Sequence, residues 1–559
     1  MVRVAACQFA TGPDVEDNLA TVMRMVDQAA AEGAALVVLP EFCNHPSWYV
    51  DAGHAWDVAV DLDGPFVKAV STRAAERGVW VMLNATVRRS DGRITDTNVL
   101  LDATGSVVAT SDKQVLMGGE RIHIAEGTDH SPVVDTPFGR VGMYSCMDGV
   151  IFETPRMLAV RGAQLLLNSL NSFALDEASL HVPVRAAENK VWVVAANKVG
   201  HLIPDGFREN VAAQLGIDPD WLQGAGESQI VAPDGTVVAI APRYGEAVVT
   251  ADIDVSVADD KRRPDGSDVL ASRRPPLYAS LAEAPKGVTQ PSGPGSVQVA
   301  VSPATGEQAA AAVADAVGRG ARLVVLPELA QTGSGRCAPD QVASLAAAAD
   351  VWLAGLAVAG GGALVVTTVP RDTGHGWAHT AVCVTGATTY EQHALHASAR
   401  HAWATVLADG LEVHDTEVGR LALLVGDDGL YPEAVRLAAI AQAQVVALPF
   451  DAQEPWEVRT GLVERAAENR VNVVASSRVT PAGQGLVLAA HEDFTLWTPW
   501  SRPFDGRISV PLVTAAPRDS GTLVTAVHPA ATANRFVSRG TDLVDGRPWR
   551  LASVLVDTP

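Results

Sequence analysis

The chain repeats itself, and that repetition constrains its fold more than any other feature. VRVAACQ at 2–8 returns as VQVAVSP at 297–303, and AALVVLPEF at 34–42 returns as ARLVVLPEL at 321–329. VGMYSCMDGVIFETPR at 141–156 returns as LALLVGDDGLYPEAVR at 421–436. RAAENKVWVVAANKV at 185–199 returns as RAAENRVNVVASSRV at 465–479. The order is kept: Glu328 stands 287 residues after Glu41, and Gly426 stands 280 residues after Cys146. Blocks that recur in one order and nearly one spacing are a duplicated unit. Between the copies, AEAPKGVTQPSGPGS at 282–296 has linker composition. The expected organisation is therefore a domain over 1–281, a linker over 282–296 and a second domain over 297–559. A chain of 559 residues has room for both.

Within the first copy, strand and helix patterns alternate. Residues 2–10 read as a strand, and 14–32 as an amphipathic helix closed by Gly33. Leu36 to Leu39 is a continuous apolar run, the pattern of a strand buried on both faces, and it ends in Pro40-Glu41. A helix is expected over 64–77, a strand over 79–87, and a hairpin over 97–101 and 107–110. A second hairpin is expected around Pro233-Asp234-Gly235. Alternating elements mixed with hairpins indicate a layered α/β sandwich.

The stretch 141–156 carries the chemistry. Val141 to Ser145 reads as a buried strand, Cys146 stands at its tip, and Glu153-Thr154-Pro155 opens a helix. Amides at a helix N-terminus would favour a thiolate there. Glu41 and Lys113 also fall at strand ends, where open α/β folds place their reactive groups. Singly, each has an ordinary reading: a helix cap, a solvated lysine, a small buried hydrophobe. Together they meet a chemical need. A thiol nucleophile requires a base, and an ammonium stabilises the oxyanion that its attack creates.

Net charge is −22, from 42 basic and 64 acidic residues, which argues against nucleic acid or an anionic membrane as partner. Five scattered cysteines, Cys7, Cys43, Cys146, Cys337 and Cys383, form neither a disulfide framework nor a zinc pattern. His123 and His181 have no second histidine at metal spacing. No signal peptide and no apolar run of spanning length are expected, so a reduced cytoplasm is the expected compartment.

VVLPEF, a lysine after a hairpin, a strand ending in Cys-x-Asp, a glutamate seven residues after the cysteine, and RAAEN together resemble the nitrilase, or carbon–nitrogen hydrolase, superfamily. The resemblance runs from residue 2 to about 280. It implies two tandem αββα four-layer sandwich domains and a Glu-Lys-Cys triad that needs no metal or organic cofactor. Carried over by motif, Glu41 is the general base, Lys113 the oxyanion stabiliser and Cys146 the acyl-forming nucleophile. Glu120 is the second glutamate that positions lysine or substrate, with Glu126 its competitor. Met147, Trp48, His45 and Tyr49 are candidate substrate-binding residues; covering the core is the alternative for Trp48 and Tyr49.

Two positions depart from the pattern. Ser111 stands where an aromatic is usual, and His181-Val182-Pro183 where tryptophan is common. Cys146-Met147-Asp148 resembles the amide-cleaving branch more than nitrilases, which usually read Cys-Trp-Glu. The expected function is hydrolysis of a small linear amide or N-carbamoyl compound. The alternatives are a nitrilase and, in another class, a non-catalytic binding or scaffold protein. In the second copy Glu328 keeps the base position, Gln392 is expected at the position of Lys113, and Gly426 replaces Cys146. That copy is expected to be a catalytically dead partner, docked on the first as an internal pseudo-dimer. Further homo-oligomerisation stays open.

Overall fold

A computed structural model describes residues 1–559 apart from 387, 494, 497, 499, 501, 520, 558 and 559. The first copy contains twelve strands. They are β1 (Val2–Gln8), β2 (Leu36–Val38), β3 (Trp80–Arg88), β4 (Ile94–Leu101), β5 (Val107–Asp112) and β6 (Val133–Thr136). The rest are β7 (Gly139–Ser145), β8 (Leu165–Ser169), β9 (Trp192–Ala196), β10 (Gln229–Val231), β11 (Val237–Ile240) and β12 (Ala247–Ile253). One sheet has the order β12-β1-β2-β3-β4-β5 and the other β11-β10-β9-β8-β7-β6. Strand β2, expected to be buried on both faces, lies in the parallel centre β1-β2-β3; β7-β8-β9 form the parallel centre of the other sheet, and antiparallel strands flank both. Strand β12 was not expected. It pairs antiparallel with β1 and closes the first sheet.

Period-two alternation builds the layers. Val4, Ala6, Leu36 and Val38 of one sheet meet Val141, Met143, Leu165 and Leu167 of the other. The opposite faces of β1 and β2, with Ala5, Cys7, Val37 and Leu39, pack against helix α1 (Val15–Ala31) and helix α2 (Pro65–Arg77). Asp14 caps α1, its side chain accepting from the amides of Glu16 and Asp17. The second sheet packs outward on helix α3 (Glu153–Val160) and helix α4 (Val182–Asn189) through Leu166, Val193, Leu158 and Ala186. The result is helix, sheet, sheet, helix, as the resemblance implied. The second copy repeats it with two six-stranded sheets.

One expectation about the second copy fails. Its helix Val342–Gly360 is, by length and composition, apolar enough to cross a membrane. It is rich in alanine, and its Ala349, Leu353 and Leu356 pack on the sheet as an outer-layer helix.

The two copies meet through α3 and α4 and their counterparts, helix α5 (Pro432–Ile440) and helix α6 (Leu462–Asn469). The contacts are reciprocal. Arg156 pairs with Glu433 at 2.8 Å, and Arg436 pairs with Glu153 at 2.9 Å. Arg185 reaches Glu468 at 2.8 Å, and Arg465 reaches Glu188. Each residue meets the counterpart of its own partner, which is the signature of an isologous interface. The chain also crosses over at both ends. Residues 273–281 lie on the second copy, where Tyr278 Oη meets His396 Nε2 at 2.6 Å and Arg274 donates to the carbonyls of Leu395 and Ala408. In return, Thr541 Oγ1 of the second copy accepts from the amide of Gly118 at 2.9 Å and donates to the carbonyl of Leu116 at 2.9 Å.

Candidate active site

Glu41, Lys113 and Glu120 converge beside Cys146, the first two just beyond strand ends and Glu120 within the 3-10 turn Gly118–Ile122. Beyond β2 the chain turns sharply at Phe42, whose φ of 56° is in the left-handed region. The Phe42 amide donates to Asn84 Oδ1 at 2.6 Å, which holds Glu41 over the sheet edge. Lys113 leaves the end of β5. Its Nζ donates to Glu41 Oε1 at 2.8 Å and to both oxygens of Glu120 at 2.9 Å. Glu120 is fixed in turn by the Met117 amide at 2.8 Å. Glu126, the competitor, is half exposed and pairs with Arg121.

Cys146 sits at the tip of β7 with φ 43° and ψ −105°, a strained corner for a residue with a side chain. Its amide donates to the carbonyl of Ser169 and to Asn168 Oδ1. The expected helix does open at Glu153, as α3, but a separate single turn, Met147–Val150, stands between it and Cys146. So short a turn supplies little dipole, and the expected thiolate stabilisation is corrected. Burial first, and the Glu41 carboxylate second, push the thiol well above its ordinary value, against the pull of Lys113. Cys146 is therefore held toward its neutral thiol form. Burial alone would lower Lys113, but Glu120 and Glu41 outweigh it and hold the ammonium well above its ordinary value.

A third acidic residue, Asp96 on β4, completes the cluster and escaped the sequence reading. Its Oδ1 accepts from Asn84 Nδ2 at 2.6 Å, and its Oδ2 lies 3.9 Å from Lys113 Nζ. Burial, then the Glu41 carboxylate, push Asp96 well above the usual carboxylate range. Three buried carboxyls share one ammonium, and this crowding favours the protonated form of Asp96. Its signal was an acidic residue inside a strand with all eight residues buried.

Asp148 also works through the backbone. Its Oδ1 accepts from the amides of Gln114 and Val115 at 3.0 and 2.8 Å, tying the segment after the lysine to the turn after the cysteine. Asp428 does the same in the second copy, accepting from Leu395 and His396 at 2.9 Å.

Cys146 and Glu120 open into a cavity of about 180 Å³, which Met147 and Trp48 also line. His45 and Tyr49 are not among its lining residues. The His45 ring is buried, with Nδ1 on the carbonyl of Pro46 at 2.7 Å, and it stacks on Tyr49. Tyr49 packs on Phe42, Leu116 and Ile124, behind the triad. Their apolar ring area finds more burial there than at the cavity wall. Ser111 lies on β5 against Ser131, and His181 lies in the interface between copies.

In the second copy, strand register corrects one assignment. Thr97 pairs with Asp112 and Thr380 with His393, so Ala394, not Gln392, stands at the position of Lys113. The amide of Lys113 bonds the carbonyl of Asp96, and that of Ala394 bonds the carbonyl of His379. Hence His379 and His401 occupy the places of Asp96 and Glu120, and Gly426 that of Cys146. A Cβ on Gly426 would meet Glu328 Oε2 at 2.5 Å, because that carboxylate has moved into the vacated space. Glu328, His379 and His401 place their ligating atoms within 4.8 Å of one another and could hold a metal. Arg400, however, already lies 2.8 Å from Glu328 Oε1 and neutralises it, leaving little demand for a second cation.

The carbon-nitrogen hydrolase family matches this sequence twice, over residues 3–263 and 296–497. A nitrilase of Pyrococcus abyssi is 26% identical over 282 residues, covering 50% of this chain and 99% of its own. The deaminated glutathione amidase of Rattus norvegicus is 30% identical over 298 residues, covering 50% of this chain and 84% of its own. Among solved structures, an amidase from Nesterenkonia sp. aligns with TM-score 0.40 and 25% identity, over 47% of this chain and 93% of that one.

Proposed function

Because the chain belongs to the carbon-nitrogen hydrolase family, we propose that its first copy hydrolyses a small linear amide through an acyl-enzyme on Cys146. The observation that carries this reading is Lys113 bridging Glu41 and Glu120 beside a cysteine that opens into a cavity. Glu41 takes the thiol proton as sulfur attacks the carbonyl carbon, and Lys113 stabilises the oxyanion. The C–N bond breaks, and the proton held by Glu41 goes to the departing nitrogen. Water then gives its proton to Glu41 and attacks the thioester, releasing the acid and restoring the thiol. The second copy has Gly426 and Ala394 at the positions of the thiol and the lysine; it takes the place of a partner subunit.

The test is intact mass spectrometry of the full chain after brief exposure to amides, carbamoyl compounds and nitriles. Amides should add an acyl group with loss of ammonia. Cys146→Ala should form no adduct and lose at least ~10⁴-fold in turnover while folding normally. Iodoacetamide should label Cys146 ahead of Cys7 and Cys43, which are wholly buried. A protein that converts nitriles and leaves every amide untouched would overturn the amide reading.

A further inference from the structure

The far wall of the Cys146 cavity comes from the second copy. Leu496, Ile508 and Val537 line it, packed in one cluster with Met147, Val150 and Ala174 of the first. The Ile508 segment is bonded to the first copy, and the Leu496 amide donates to the carbonyl of Val537 at 2.8 Å. Asp176 Oδ2 accepts from the amides of Ile508 and Ser509 at 3.2 and 2.8 Å, and His181 Nε2 meets Ser509 Oγ at 2.9 Å.

Among the described residues, no lysine, arginine or histidine lines the cavity. Beyond Cys146 and Glu120, its remaining ionisable lining residue is Glu177, whose buried Oε2 has no hydrogen-bond partner. Burial, partly offset by His181, holds the Glu177 carboxyl up at about 7. A substrate carboxylate entering here would leave water for an apolar wall and a second carboxyl, with no cation to receive it. That arrangement penalises the charged form heavily. An alkyl chain would meet leucine, isoleucine and valine instead.

We propose that the second copy is the specificity wall of the first copy's site, and that it selects amides with an apolar acyl chain and no carboxylate. The inference rests on the amide reading above and narrows it. N-carbamoyl amino acids and dicarboxylic monoamides fall outside the class, and unbranched aliphatic amides fall within it. Discrimination of this kind works by leaving the wrong substrate's charge unpaired.

The experiment compares butyramide with succinamate, which has the same carbon chain ending in a carboxylate, on the full-length protein. Butyramide should be favoured by roughly 100-fold or more in kcat/KM. The margin should widen as pH rises through about 7, because Glu177 gains its negative charge there. Ile508→Arg should narrow the margin by roughly tenfold or more, mainly through the KM for succinamate. Leu496→Ala, a milder change in case the arginine variant fails to fold, should shift preference toward longer acyl chains such as hexanamide. Equal turnover of the two substrates by the native protein would overturn the inference while leaving the amide reading intact. So would chain-length preference unmoved by Leu496→Ala. Failure to turn over any amide would overturn both.

Discussion

At the scale of single residues, the site is a problem in shared charge. One buried ammonium, Lys113, serves Glu41, Glu120 and Asp96. Burial and the Glu41 carboxylate hold Asp96 well above the usual carboxylate range, and in the proposed mechanism Glu41 is the base and Lys113 the oxyanion stabiliser. Asparagine reproduces a neutral carboxyl in both shape and charge. Asp96→Asn should therefore keep kcat/KM within about tenfold and leave the acidic limb of the pH–rate profile in place. Asp96→Leu, which leaves Glu41 Oε2 and Asn84 Nδ2 facing an apolar group, should lose far more. An acidic limb displaced in the asparagine variant would show that Asp96 is ionised instead. The second copy shows the same positions filled differently. Without the lysine, two of the three carboxyl positions have become histidines, and Arg400 supplies the missing cation to Glu328.

At the scale of elements, helices α3 to α6 combine two tasks. They pack on the sheets and carry the reciprocal ion pairs that join the copies. Arg156, Arg185, Arg436 and Arg465 are among the largest fully buried side chains in the protein. Burying charges so deeply is tolerated only while each stays paired, and removing one partner costs about 3–5 kcal/mol. Glu433 serves two arginines, Arg156 at 2.8 Å and Arg273 at 2.7 Å. Glu433→Gln should consequently lower the melting temperature more than Arg156→Met, since it strands two cations instead of one anion that still has Arg273. Adding Arg156→Met to the glutamine variant should recover part of the loss. The reverse order of destabilisation would show that packing, not charge pairing, dominates this interface.

At the scale of the whole molecule, the copies depend on each other. Residues 1–285 expressed alone lose the wall of Leu496, Ile508 and Val537 and expose four buried charges, Glu153, Arg156, Arg185 and Glu188. We expect an insoluble, self-associating or weakly active product, read by light scattering and turnover; a fully active monomer would refute the role assigned to the second copy. The joint should also respond to pH. Burial alone would lower His181, but Glu464, 2.9 Å from Nδ1, outweighs it and raises the imidazole from 6.5 to about 9, with Glu177 and Asp176 adding to the effect. A histidine raised on folding contributes stability that is complete below its unfolded value and lost as pH rises through its folded value. Stability should thus fall between pH 6.5 and 9 by something on the order of 3 kcal/mol, and His181→Gln should flatten that fall in thermal melts.

The sequence by itself was enough to read the duplication, the alternation of strands and helices, and the strand-end placement of Glu41, Lys113 and Cys146, whereas Glu120 entered only through the family resemblance. Those features are local: periodicity records which face is buried, and a strand tip is visible wherever an apolar run stops at a polar residue. Residues whose role depends on pairing across the fold were not legible. Asp96 matters because β4 lies beside β3 and β5, which brings it to Lys113. Ala394 replaced Gln392 as the lysine counterpart because strand register, not residue count, decides which side chain reaches a site. Ile508 lies 362 residues after Cys146 and lines the same cavity, and nothing in either segment announces the other. Only docking of the two copies decided what closes the site, because a shared wall is made by contact between surfaces that each copy must first complete on its own.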